Sequence, residues 1–270
     1  MGRSRAGGLS PLTIHPGKKR HLERLALAQD ANPQPSTGAG PSQRQLQLVP
    51  ARSEQVPVTI LNLPLFYLLR CHGVRQEALC FMQRALVDWS LSLPVPRDLP
   101  TLTRLNAFNA LARNALVLGI SVESLESDEG DSPFLCQRPL LVSTDGVVQL
   151  FPAHLTPTAL QRTVKHHPWL DLFPIPRMRD NILQGIQDGI LDEDMLCNEL
   201  VCDLLNLEGS SAASLIIWGD SWEMGQWEFS PDFFKRWGAL LQGCEEVWHA
   251  TNQWRAKRGE TPVEAVLELE

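Results

Sequence analysis

Apolar residues are scattered up to about residue 54 and dense from Val56 to about Trp254, where they recur at helical spacing. In residues 74–91, VRQEALCFMQRALVDWSL, Leu79, Met82, Leu86 and Trp89 stand three and four apart, the period of an amphipathic helix. The proline-marked stretch LPVPRDLP interrupts. A second stripe follows at Leu102, Leu105, Phe108, Ala112 and Leu116, and Gly119 is placed to close it. Asn106, Asn109 and Asn114 break this stripe and read as hydrogen-bonded core amides sooner than as ligand contacts. Residues 121–138 are acidic and turn-rich, a surface loop. PLLVSTDGVVQLFP then reads as two short strands joined across Asp145 and Gly146, a hairpin signal.

Further on, Asp192 is placed to cap a helix whose buried stripe is Leu196, Leu200 and Leu204. SLIIWGDSW is a compact strand or buried turn. SPDFFKRWGALLQG has Ser230 as cap, Pro231 at the first helical position and Gly243 past the end, with Phe233, Phe234, Trp237, Leu240 and Leu241 facing the core. The last helix, CEEVWHATNQWRAKRGE, sets Val247, Trp248, Thr251 and Trp254 on one side. Arg255, Lys257 and Arg258 lie at its end, where positive charge suits the helix dipole.

One stretch breaks the helical pattern without becoming polar. In HHPWLDLFPIP, Pro168, Pro174 and Pro176 fix φ and push the preceding residues toward extended conformations. Trp169, Leu170, Leu172, Phe173 and Ile175 make it too apolar to lie in water. An irregular buried segment must pair its backbone groups with other elements, so helices are expected to wrap this ribbon. RMRDNIL then starts a helix.

Composition narrows the classes. The chain has 270 residues, 43% hydrophobic, with a net charge of −7. It can form one sizeable domain and is not a general polyanion binder. The six cysteines form no C-x-x-C pair and read as reduced, packed thiols. Apolar runs fall short of a membrane span, no signal-peptide core opens the chain, and Ala6 breaks a myristoylation pattern. A soluble protein of the nucleus or cytoplasm is expected. Residues 1–54 read as a disordered Pro-, Gly- and Ser-rich tail. Within it, Lys18, Lys19, Arg20 and Arg24 form a basic island, either a nuclear-import or DNA-touching remnant or, as is more common, a solvated tail. The run is too short to cross a major groove and no leucine heptads follow, so direct DNA binding is not expected.

Catalytic signatures are missing. His166 and His167 are adjacent and point opposite ways in an extended segment, so they do not share a metal ion. The carboxylates Asp192, Glu193, Asp194, Glu199 and Asp203 read as one solvated acidic helix. Cys197 and Cys202 on it should have raised thiol pKa values. No G-x-S-x-G, P-loop or dinucleotide fingerprint occurs. Seven of the eight tryptophans lie between Trp169 and Trp254, enough for an aromatic core or for the lining of an apolar pocket.

Residues 99–120, 155–183 and 190–260 resemble a fungal domain of unknown function that lies C-terminal to a basic leucine zipper in fungal regulators. The pieces that carry the resemblance are LTPTALQRTVKHHPWLDLFPIPRMRDNIL, DEDMLCNEL, LIIWGDSWEMGQWEFSPDFFKRWGALLQGC and TNQWRAKRGE. It implies a zipper-associated regulatory or effector domain in fungal transcription, in some members tied to specialised metabolism. The zipper itself is not recognisable here.

The expectation is a mainly α protein: a single helical domain over 55–260 with a small β-hairpin and a buried proline-rich irregular segment, then an acidic tail at 261–270. The leading function is a non-enzymatic regulator binding a partner protein, a second copy or a small apolar ligand, with no cofactor and no membrane. Its candidate contacts are His166, His167, Trp169, Phe173, Arg177, Arg179, Trp218 and Trp222. Arg177 and Arg179 could equally bridge to the acidic helix at 192–203. Two alternatives stand beside it: an enzyme of the cyclase or isomerase type with an aromatic pocket, and a truncated zipper transcription factor.

Overall fold

The computed structural model describes residues 62–135 except 94 and 128, 151–207 and 213–264. The expected hairpin at 139–150 and the basic island at 17–30 lie outside these residues. Eight α-helices are described: α1 (Leu65–Leu68), α2 (His72–Ser90), α3 (Leu99–Leu118), α4 (Val122–Glu126), α5 (Pro176–Gln187), α6 (Glu193–Leu200), α7 (Pro231–Trp237) and α8 (Glu245–Lys257). Two short antiparallel strands, β1 (Leu215–Ile217) and β2 (Trp227–Phe229), pair in the register Leu215 to Phe229 and Ile217 to Trp227. Among the described residues the fold is mainly α with this one small sheet.

Helix α3 is the axis. Thr101, Arg104, Leu105, Ala107, Phe108, Ala110, Leu111, Ala112, Asn114, Ala115 and Leu118 are all buried, the burial of a central helix rather than of a surface one. Alanines at four of these positions let α1, β1 and the 3₁₀ turns at Pro168–Leu172 and Cys202–Leu205 pack closely around it. The sequence stripe is corrected at two places: Leu102 and Leu116 are 40% and 47% exposed, because the neighbours of α3 meet the Ala-rich side instead. Gly119 ends the helix at φ +68°. Its N–H bonds Leu116 O and the Ile120 N–H bonds Ala115 O at 2.9 Å, the Schellman closure that a left-handed residue makes possible.

Helix α2 forms as its pattern indicates, yet only Ala78 and Leu79 are buried on it. Leu86 and Trp89 continue the stripe past the body of the protein and stand exposed. The predicted helix from Ser230 to Gln242 is also divided. Ser230 caps α7 by accepting from Phe233 N–H, but after Trp237 the chain tightens into a 3₁₀ turn at Gly238–Leu241, which tucks Leu240 and Leu241 inward. Asp192 caps α6 through Met195 N–H at 3.0 Å, and Leu196, Leu200 and Leu204 are buried as the pattern indicates.

The proline ribbon is interior. Pro168–Leu172 is a 3₁₀ turn with every residue buried, and Phe173, Pro174 and Ile175 follow into the core. Trp169 meets Phe173 edge-on at 5.8 Å, and Phe173 meets Trp227 at 5.5 Å. Backbone groups that the prolines deny to secondary structure are paired by side chains: Asn114 donates to Leu172 O at 2.8 Å and to Ser221 O at 2.9 Å. The hydrophobic core runs as one cluster from Leu65 to Val263.

Candidate functional site

Around the ribbon lies a closed polar cluster. The Asp171 carboxylate, 1% exposed, accepts from Gln161 Nε2 at 2.5 Å, Ser132 Oγ at 2.7 Å and His166 Nε2 at 3.0 Å. His166 Nδ1 faces Val164 O at 2.8 Å, so both ring nitrogens meet acceptors, the arrangement of an imidazolium. Burial alone would lower the His166 pKa. The hydrogen bond and charge of Asp171 outweigh it, and the net shift is upward. Ser132 Oγ in turn accepts from Phe134 N–H, so one carboxylate ties the 131–135 turn and the 158–166 segment to the ribbon.

Arg179 is fully buried and does not reach the acidic helix. Its Nη1 donates to Phe173 O and its Nη2 to Thr156 O, both at 2.9 Å, while burial pulls its pKa down to about 10. It is a clamp on two backbone carbonyls. Arg177 is exposed and lies over the turn at Gly243, whose missing Cβ would come within 3.2 Å of Arg177 Nε. The acidic helix is engaged elsewhere: Glu199 accepts from Arg236 and from Trp237 Nε1, and Asp203 sits 3.5 Å from buried Arg104. It is therefore not merely solvated. The Cys197 thiol is pushed well up, first by its hydrogen bond with Cys202 and then by burial, so it is a poor nucleophile.

A cavity of about 390 Å³ opens between α3 and the end of β1. Its walls are Leu63, Leu65, Met82, Leu102, Leu105 and Ile217. Its polar groups are Asn106, Asn109 and Arg113, and Trp218 and Gly219 close one end. The size is in the range of small-molecule pockets, and polar atoms share the surface of this open cavity with the apolar walls. Asn109 Oδ1 is occupied by Leu65 N–H at 3.1 Å and fixes α1 against α3. Among the described residues, Arg113 is the one charged residue in the lining. Its guanidinium lies 5.0 Å from the Trp222 ring centre and 3.5 Å from Asp220 Oδ1.

The wall at Trp218 is braced from behind. Trp218 stacks on Trp254 at 4.9 Å and 15°, and its Nε1 donates to Glu228 Oε2 at 2.8 Å. Glu228 is 2% exposed and takes a bidentate pair from Arg258, which also bonds Glu260, so these carboxylates raise the Arg258 pKa further. The basic end of α8 thus closes a buried ion pair in addition to facing the helix dipole. A Cβ at Gly219 would meet Gln226 Oε1 at 2.7 Å, so that flexible side chain would have to shift.

Of the candidate contacts, Trp218 lines the cavity and Trp222 supports Arg113. His166, Trp169, Phe173 and Arg179 are core, and His167 is spent on Trp169 N–H and Ser127 O. The sequence reading missed Met82, Asn106, Asn109 and Arg113 as lining residues. A signal existed: polar residues at 106, 109 and 113 run along one side of a helix rich in Ala and Leu. Among the described residues, no group of three His, Cys, Asp or Glu side chains is placed to hold a metal ion, and no helix is long and apolar enough to cross a membrane.

The arrangement is a helical domain with an open cavity whose described lining carries one guanidinium. Residues 137–247 match a family model described as a domain of unknown function, DUF3425. The match takes in the ribbon and Trp218, Asp220 and Trp222, whereas the α3 wall precedes it. No curated protein and no solved structure matches the chain.

Proposed function

We propose that the chain is a non-enzymatic regulatory module that binds a small apolar ligand in the cavity between α3 and β1. The observation that carries the reading is the lining itself. Among the described residues, seven aliphatic or thioether side chains and Trp218 stand around two amides and one guanidinium. Amides and an always-protonated guanidinium bind and orient, but none is a nucleophile or a proton acceptor near neutral pH. The His166–Asp171 pair has the titratable chemistry an enzyme needs, yet neither residue lines the cavity and both are buried. The resemblance to zipper-associated fungal regulators supports the regulatory half of the proposal, with a site of action in nucleus or cytoplasm.

Calorimetric titration with decan-1-ol tests it, comparing the wild type with Asn106→Phe. Asn106 is an exposed position of α3 in the lining, so the phenyl ring blocks the cavity at little cost to the fold. Saturable one-to-one binding that the variant loses supports the proposal. No binding, or equal binding by both proteins, refutes it.

A further inference from the structure

We infer that the ligand of this cavity carries a carboxylate, that Arg113 is its counter-ion, and that Asp220 yields the guanidinium to it. The inference rests on the cavity reading above and adds the chemical class of the ligand.

The molecule has two kinds of arginine–carboxylate pair on either side of Trp218. Arg258 and Glu228 make a bidentate contact at 2.8 and 2.5 Å with the carboxylate sealed from solvent. Arg113 and Asp220 make a single contact at 3.5 Å, with side chains 35% and 60% exposed. An exposed, long, one-point pair is worth little, about 0–1 kcal/mol, so its partner is easily exchanged. Arg113 is held instead over the Trp222 ring, its guanidinium carbon 5.0 Å from the ring centre. Such a cation–ring contact positions the group while its N–H groups remain able to donate to a planar acid. A carboxylate arriving from the cavity can meet them with two parallel hydrogen bonds, the strongest geometry a guanidinium offers. Asp220 then loses its partner and turns to water, which its exposure makes cheap. The apolar walls take the remainder of the ligand, so the class is a small acid with an alkyl or aryl body.

Titration of the full chain with decanoate and decan-1-ol, at equal ionic strength, separates this inference from the one beneath it. Decanoate should bind about tenfold more tightly than the alcohol, the order of one charge-assisted pair. Arg113→Gln should erase that preference and keep alcohol binding. Asp220→Asn should tighten decanoate severalfold and leave the alcohol unchanged, the reverse of what loss of a supporting residue would do. If both probes bind with equal affinity, or Asp220→Asn weakens decanoate, the carboxylate assignment is overturned while the cavity reading stands. If neither binds, both are overturned.

Discussion

Replacing Asp171 by asparagine removes one charge and almost no volume, so it isolates the electrostatics that hold the proline ribbon. In the native protein three donors converge on this carboxylate from separate segments, and it is 1% exposed. An asparagine offers one acceptor oxygen and a donor NH₂, so at least one of Gln161, Ser132 and His166 faces a donor. Removing one partner of a buried pair costs about 3–5 kcal/mol. His166 can shed its proton, which places the expected loss near the low end, about 3 kcal/mol. For a body of this size that is a Tm drop of about 6–12 °C.

The pH dependence sharpens the test. The His166 pKa is raised in the fold, so its contribution is full below the unfolded value near 6.5 and fades as pH climbs through the higher folded value. The other causes are burial, the largest, which lowers it, and the Val164 carbonyl and Glu193, which raise it. Without Asp171 burial is opposed only by these two, so the folded pKa drops and the loss of stability with rising pH should weaken. Urea unfolding of wild type, Asp171→Asn, His166→Gln and the double variant from pH 5.5 to 8.5 measures both effects. A loss under about 1 kcal/mol, strictly additive single variants, or an unchanged slope with pH would refute the clamp.

Further outcomes follow from the packing. Phe173→Ala, emptying the contact between Trp169 and Trp227, should cost about 3–5 kcal/mol in urea unfolding. Gly119→Ala meets no atom within 4 Å, so its cost is only that of a left-handed backbone, about 1–2 kcal/mol by thermal unfolding. Arg258→Ala strands Glu228 in the interior beneath Trp218 and should lower stability by about 2–3 kcal/mol, with a change in tryptophan fluorescence.

The fold was readable where local chemistry dictates the backbone. Prolines excluded a helix at 168–176 while its aromatics demanded burial, and Ser230, Asp192 and Gly119 marked helix ends that the structure places there. The divided helix after Trp237 and the exposed ends of α2 were not readable, since a stripe reports amphipathicity but not which neighbour covers it. The site was legible only in part. Trp218 and Trp222 drew notice as tryptophans of an aromatic-rich half that could line a pocket, but Arg113 acquires its meaning from Asp220 and Trp222, more than 100 positions along the chain. Arg179 misled for the same reason: a guanidinium beside apolar residues suggests an anion site, yet here the prolines leave carbonyls for it to satisfy.

The most direct measurement is amide hydrogen exchange with and without saturating decanoate. The account predicts added protection in residues 102–113 and 217–220, which form the two walls of the cavity, and no change in the ribbon at 166–175. Protection confined to the ribbon, or none in either wall, would contradict it.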